Sequence, residues 1–197
     1  MTEGAVGGLV LAAGGGRRLG GRPKALLVGR GRLFVERAAA DLRAAGCGRV
    51  HVVLGAAAEE VRARADLTGC VVVVNRDWES GMGSSLRAGL RSLAGAGARG
   101  ALVSLVDQPG VGAAAMARVL AAYRTPETLA AAAYAGRRGH PVLIGAAHFA
   151  GVVREARGDR GARAYLRAHE GEITQVECAD VAAPDDIDEP GDLVDLR

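Results

Sequence analysis

Short apolar runs of strand length alternate along the chain with stretches whose apolar residues recur every three or four positions. The runs VGGLVLAA (6–13), RVHVVLG (49–55), CVVVVN (70–75), ALVSLVD (101–107), TLAAAAYA (128–135), HPVLIG (140–145) and EITQVECA (172–179) predict strands. Between them LFVERAAADLRAAG (33–46), AEEVRARA (58–65), SSLRAGLRSL (84–93), GAAAMARVLAAY (112–123), AHFAGVVREA (147–156) and GARAYLRAH (161–169) predict helices. Gly46 reads as the glycine just past the first helix, and Ser84 or Ser85 as the N-cap of the third. The tail DEPGDLVDL (188–196) reads as a short helix with Pro190 in its first turn.

Most of the strand runs are mainly apolar rather than alternating, as in strands covered on both faces. With the strand–helix alternation this predicts an α/β fold: a doubly wound, mostly parallel sheet with helices on both faces. Such sheets bind ligands beyond the carboxyl ends of their strands, near a switch in strand order. The loops after Ala13, Asn75 and Asp107 are therefore where a site is expected.

Composition narrows the class. The chain has 197 residues, 49% of them hydrophobic, enough for one large domain with a sizeable core. A net charge of +3 is too small to suggest a nucleic-acid partner. The charge is unevenly placed, however. From Gly4 to Val35 there is no acid, against Arg17, Arg18, Arg22, Lys24, Arg30 and Arg32. From Asp180 onward the acids Asp180, Asp185, Asp186, Asp188, Glu189, Asp192 and Asp195 face Arg197 alone. A basic head suits phosphates and an acidic tail suits a metal. Cys47, Cys70 and Cys178 are far apart, so neither a zinc site nor a disulfide framework is expected, which suits a reduced cytoplasmic setting. The apolar start is too short for a membrane span and has no basic leader, so neither export nor a membrane partner is expected.

The stretch LAAGGGRRLGGRPKALL (11–27) carries the chemistry. A dinucleotide fingerprint would need a glycine where Leu19 stands. A Walker A loop would need Lys and Ser or Thr where Arg22 and Pro23 stand. What remains is L-A-A-G-x-G-x-R-L-G with Lys24 four residues on. Such a loop lets backbone N–H groups approach phosphate oxygens, while Arg18 and Lys24 set positive charge beside them. Asp107, just past an apolar strand in VSLVDQPGV, is placed to hold Mg²⁺ against those phosphates. In DIDEPGDL, Asp186 and Asp188 share a face if the segment is extended; Asp188 fits either a second metal carboxylate or a helix cap.

These segments resemble the MobA-like NTP transferase family, nucleotidyltransferases related to the molybdopterin-guanine and molybdopterin-cytosine dinucleotide synthases, and within it the molybdenum cofactor cytidylyltransferases. Leu11, Ala12, Ala13, Gly14, Arg18, Gly20 and Lys24 match the family's first motif; Gly16 stands where the family usually has Ser, and Leu19 where it has Met. NRDWESGMGSSLRAGL (75–90) resembles the family's segment beside base and ribose. GRRGHPVLIG (136–145) and GDRGARAYL (158–166) resemble those of the acceptor side. The resemblance runs from Leu11 to Leu193.

The resemblance implies a nucleotide-diphospho-sugar-transferase-like, Rossmann-like fold in one nucleotidyltransferase domain, with residues 1–110 mainly binding NTP and 111–197 mainly the acceptor. It implies nucleotide contacts from Leu11, Ala12, Ala13, Gly14, Gly16, Gly81, Ser84 and Ser85, and acceptor contacts from Arg138, His140, Asp159 and Arg163. His140 also reads as a turn residue, and Trp78 as a half-buried surface aromatic. The reaction implied is Mg²⁺-dependent transfer from CTP to the phosphate of molybdopterin, with a molybdoenzyme or its chaperone as a possible protein partner. L-A-A-G and D-Q-P are the forms that go with cytidine in this family, and the Ala13 methyl narrows the room for a purine. The alternatives are a guanylyltransferase, a different phosphorylated acceptor, an NAD(P)H oxidoreductase on the same fold, or a non-catalytic nucleotide-binding chaperone of a molybdoenzyme.

Overall fold

The computed structural model describes residues 5–188, 191 and 192; of the helix expected at 188–196 only Asp188, Gly191 and Asp192 are described, the last two in a 3-10 turn. The first strand, β1 (Val6–Ala12), is buried at all seven positions. Its Val6, Val10 and Ala12 enter one hydrophobic cluster and its Leu9 and Leu11 the other. That two-sided burial is why the run is apolar without alternation. On one side β1 pairs in parallel with β4 (Val50–Leu54), which pairs with β5 (Cys70–Val74). On the other side it pairs with β6 (Gly100–Leu105). The strand order therefore reverses at β1, and the space beyond β1 and β6 is the switch-point crevice.

Between β1 and β4 lie a two-residue-stranded hairpin, β2 (Val28–Gly29) and β3 (Arg32–Leu33), which the sequence pattern does not announce, and α1 (Phe34–Ala44). The hairpin turn needs positive φ at both Arg30 and Gly31. Gly46, at φ 95°, stands just past α1 as expected. α2 (Ala58–Arg64) precedes β5, and α3 (Met82–Gly95) precedes β6.

Beyond β6 follow α4 (Ala113–Leu120), β7 (Leu129–Tyr134), β8 (Arg137–Gly145), α5 (Ala146–Glu155), α6 (Arg163–Ala168) and β9 (Ile173–Glu177). The seven-stranded order is β5-β4-β1-β6-β8-β7-β9, and β8 alone runs against its neighbours. β7 and β8 form a hairpin through Ala135 and Gly136, both at positive φ, so β8 begins three residues before the expected HPVLIG run. α1, α2 and α4 cover one face, burying Phe34, Val61 and Met116; α3, α5 and α6 cover the other with Leu90, Phe149 and Leu166. The outermost strands β5 and β9 are only partly covered, although their sequences read as buried. No helix among the described residues is long and apolar enough to cross a membrane.

Candidate active site

The loop after β1 is a shaped turn, pinned at both ends. Gly16 sits at φ 60°, and a Cβ there would run into the Arg22 carbonyl oxygen. A serine, usual here in the resembling family, does not fit this loop, and only the backbone of Gly16 can meet a ligand. The Gly16 carbonyl accepts from the N–H groups of Leu19 and Gly21. Leu19, Ala25 and Leu27 are buried, so the segment around Lys24 is anchored in the core while Lys24 itself reaches outward.

What Lys24 reaches is the opposite wall. Its Nζ lies 2.8 Å from Asp107 Oδ2 and 2.7 Å from Asp188 Oδ1. Arg18 reaches the other oxygen of Asp188 at 3.0 Å. Asp107 is there because parallel pairing sets Leu105 beside Leu11, and the chain runs two residues further. Asp188 is there because Ile187 is buried and its N–H donates to the Asp107 carbonyl. Burial works against the Lys24 charge, but the hydrogen bonds to Asp107 and Asp188 outweigh it and hold the ammonium above its ordinary value. The Lys24 hydrogen bond likewise holds the Asp188 carboxyl below its ordinary value, against some desolvation.

Asp188 N–H donates to the Asp192 carboxylate, while both side-chain oxygens of Asp188 take cations from the β1 loop. That favours the cleft-facing reading of Asp188; the helix it was to cap lies mostly outside the described residues. Asp186 does not join it at Lys24. Its carboxylate accepts from Gln108 at 2.8 Å.

A cleft of about 340 Å³ opens over this cluster, lined by Leu11, Ala13, Gly14, Lys24, Ser85 and Asp107 among others. Three expected nucleotide residues, Ala12, Gly16 and Ser84, do not line it. Ala12 is buried in the core on the other face of the sheet. Ser84 is buried beneath, where its hydroxyl accepts from Asn75 Nδ2 at 2.8 Å and donates towards the Gly81 carbonyl. Neither serine is the N-cap: α3 starts at Met82, with Gly81 before it at φ 103°. A Cβ on Gly81 would run into the backbone carbon of Gly158, so the α3 start is clamped on the segment that carries Asp159. Trp78 is half-buried, as read from the sequence, but it also walls the cleft. Its ring lies against Gly15, and a Cβ on Gly55 would come 2.5 Å from it. The signal was present in the shared W..GM.SS segment.

A second cleft of about 440 Å³ adjoins the first and shares Leu11, Met82, Leu105, Asp107 and Asp159 with it. Arg138, His140 and Arg163, expected to contact the acceptor, line it, and so do Arg160, Arg167 and Gln108, which the sequence did not single out. Arg138 is held by Glu170 at 2.7 Å. His140 is not a turn residue. Between the pairs Ala131–Val142 and Ala133–Arg138, β8 carries Gly139, His140 and Pro141 where β7 has only Ala132. This bulge turns His140 into the cleft wall. Enclosure by protein pushes its imidazole down to about 4, so it is neutral near pH 7.

Among the described residues no group of three or more His, Cys, Asp or Glu forms a ready ligand cage. Two convergent carboxylates beside a phosphate-sized cleft suit a hard divalent cation whose shell is completed by phosphates and water.

The family model of the MobA-like NTP transferase domain matches residues 8–173. The chain is 44% identical over 190 residues to nicotine blue oxidoreductase of Paenarthrobacter nicotinovorans, covering 93% of this chain and 92% of that protein. It superposes on Rv0371c of Mycobacterium tuberculosis H37Rv with a TM-score of 0.84 at 33% identity, over 100% of this chain and 98% of that one. A complex of Rv0371c with manganese matches at a TM-score of 0.78 and 30% identity, over 97% of each chain. A nucleotidyl transferase from Methanothermobacter shares the fold, with a TM-score of 0.81 at 24% identity over 98% and 95% of the two chains. With motif, crevice and family model in agreement, the chain belongs to the MobA-like NTP transferase family and is a nucleotidyltransferase enzyme.

Proposed function

We propose that this enzyme transfers a cytidylyl group from CTP to the phosphate of molybdopterin, with Mg²⁺ as the working cation. The observation that carries the reading is the meeting of Lys24 with Asp188 and with Asp107, which lines both clefts. The acceptor phosphate oxygen attacks the α-phosphorus of CTP, the bond to the bridging oxygen breaks, and pyrophosphate leaves. Lys24 and Arg18 bind the phosphates and hold their growing charge; Gly14 and Gly16 offer backbone N–H groups at close approach. Asp107 and Asp188 would hold the divalent cation, which supplies charge neutralisation of the triphosphate. Arg138 and Arg163 orient an anionic acceptor from the second cleft, with Asp159 at the boundary. Ala13, Leu11 and Trp78 line the first cleft, and the Ala13 methyl takes room a purine would need, which favours a pyrimidine. The manganese complex of Rv0371c supports a divalent cation in this fold. Residues 1–110 supply most of the donor cleft and 111–197 most of the arginines of the acceptor cleft, and a reduced cytoplasm suits the three free cysteines.

A second reading has one observation behind it, the 44% identical relative named an oxidoreductase. On that reading the paired clefts would hold an electron carrier and an acceptor. The absent dinucleotide fingerprint counts against it. Pyrophosphate release across four nucleoside triphosphates, with and without molybdopterin, decides between them when run beside NAD(P)H consumption. Release with CTP that requires molybdopterin is expected. Nicotinamide oxidation without pyrophosphate release would replace the transferase reading by the redox one, and nucleotide binding with neither reaction would leave a chaperone.

A further inference from the structure

We propose that the Lys24 ammonium is a built-in competitor for the divalent cation, so that the cation enters as its nucleotide complex rather than alone. Lys24 Nζ sits between Asp107 Oδ2 and Asp188 Oδ1 at 2.8 and 2.7 Å, the two oxygens best placed to share a metal. A cation bound by both would occupy the point the ammonium now fills, and two positive centres cannot share it. Lys24 is poorly exposed there, with 16% of its side chain in contact with solvent, so the pair is only partly screened by water.

The closed arrangement is balanced: two carboxylates face Lys24 and Arg18. A lone divalent cation would displace Lys24 from both carboxylates without bringing it a new anionic partner. A triphosphate carries more negative charge than one divalent cation neutralises, so its complex brings a new partner for Lys24 as the metal takes the carboxylates. Lys24 then moves from carboxylates to phosphates on a loop whose ends stay anchored by Leu19 and Leu27. The three contacts joining the β1 loop to Asp107 and Asp188 become a latch that the correct ligand pair opens. The role given to the triphosphate rests on the transfer reading; the competition between Lys24 and metal does not.

The test separates the two. Mn²⁺ is titrated into the full-length wild type, Lys24→Met and Arg18→Met without nucleotide, and free Mn²⁺ is counted by electron paramagnetic resonance. Lys24→Met should bind Mn²⁺ about 10–100-fold more tightly than wild type, the range expected from removing charge-assisted hydrogen bonds that hold the competitor. Arg18→Met should gain less, because Arg18 touches Asp188 alone and is exposed. Lys24→Gln repeats the measurement, so one poorly folded variant does not decide it. Wild type binding Mn²⁺ as tightly as both Lys24 variants would overturn the proposal, as would equal gains from the Lys24 and Arg18 variants, which would reduce the effect to bulk charge. In a second arm CTP is titrated at fixed Mn²⁺ by calorimetry. Wild type should bind it and Lys24→Met should bind it more weakly. No CTP binding, with the Lys24→Met gain intact, would count against the transfer reading while upholding the competition.

Discussion

Lys24 brings a full charge to a half-buried place, and only the two carboxylates facing it make that tolerable. On the proposed transfer its donors would meet phosphate charge that grows as pyrophosphate leaves. Lys24→Ala should slow pyrophosphate release by ~10²–10³-fold, the scale of one lost preorganised donor. A wild-type rate in that variant would remove Lys24 from the mechanism. His140 makes a different prediction. Its pKa is about 4 in the native chain against an ordinary 6.5, so between these values the unfolded chain holds more protons. The His140 contribution to stability should therefore be level above pH 6.5 and fall as acid is added towards pH 4, with His51, also held down by burial, acting in the same sense. The depressed carboxyls, Asp188 and Glu177 among them, start from 3.8 or 4.5 and act lower on the scale. His140→Gln should thus flatten the urea-midpoint difference between about pH 7 and about pH 5; an unchanged difference would assign the slope to other groups. Both side chains were visible as motif members, but the partner of Lys24 and the enclosure of His140 were not, because both depend on residues far off in the chain.

At the scale of elements, the start of α3 shows why a glycine-rich motif is structural before it is chemical. Gly81 is at a φ that L side chains rarely adopt and lies against the 158–159 backbone, so it fails a side chain twice over. Gly81→Ala should cost about 2–5 kcal/mol, from backbone strain and forced separation of the two segments together. Gly95, the last residue of the same helix, faces open space: a Cβ there would meet nothing within 4 Å. Gly95→Ala should leave stability unchanged or raise it by up to about 1 kcal/mol. Thermal melts of the pair check the contrast, and equal losses would refute the clamp. Helix existence was legible from the 3.6-residue pattern, as was the glycine ending α1. The start of α3 was misplaced by two residues because serines are good caps in general, whereas here Asn75 holds both hydroxyls below the helix. The β8 bulge left no local mark beyond Gly139 and Pro141, since a bulge is a mismatch between two strands and belongs to neither alone.

Over the whole molecule, the first cleft sits where the strand order reverses, and on the proposed function its lining would set the choice of nucleotide. Pyrophosphate release should be faster with CTP than with GTP; the reverse order would overturn the argument from Ala13. The two-sided apolar strands, the helices between them and the basic loop after the first strand were determined by the sequence alone, because burial on both faces and the loop's glycines are written in consecutive residues. The antiparallel β8, the second cleft with its extra arginines, and the pairing of a residue near position 24 with carboxylates at 107 and 188 were decided by tertiary structure. Strand order and the docking of Ile187 bring those groups together, and such long-range packing leaves no periodic trace in the chain.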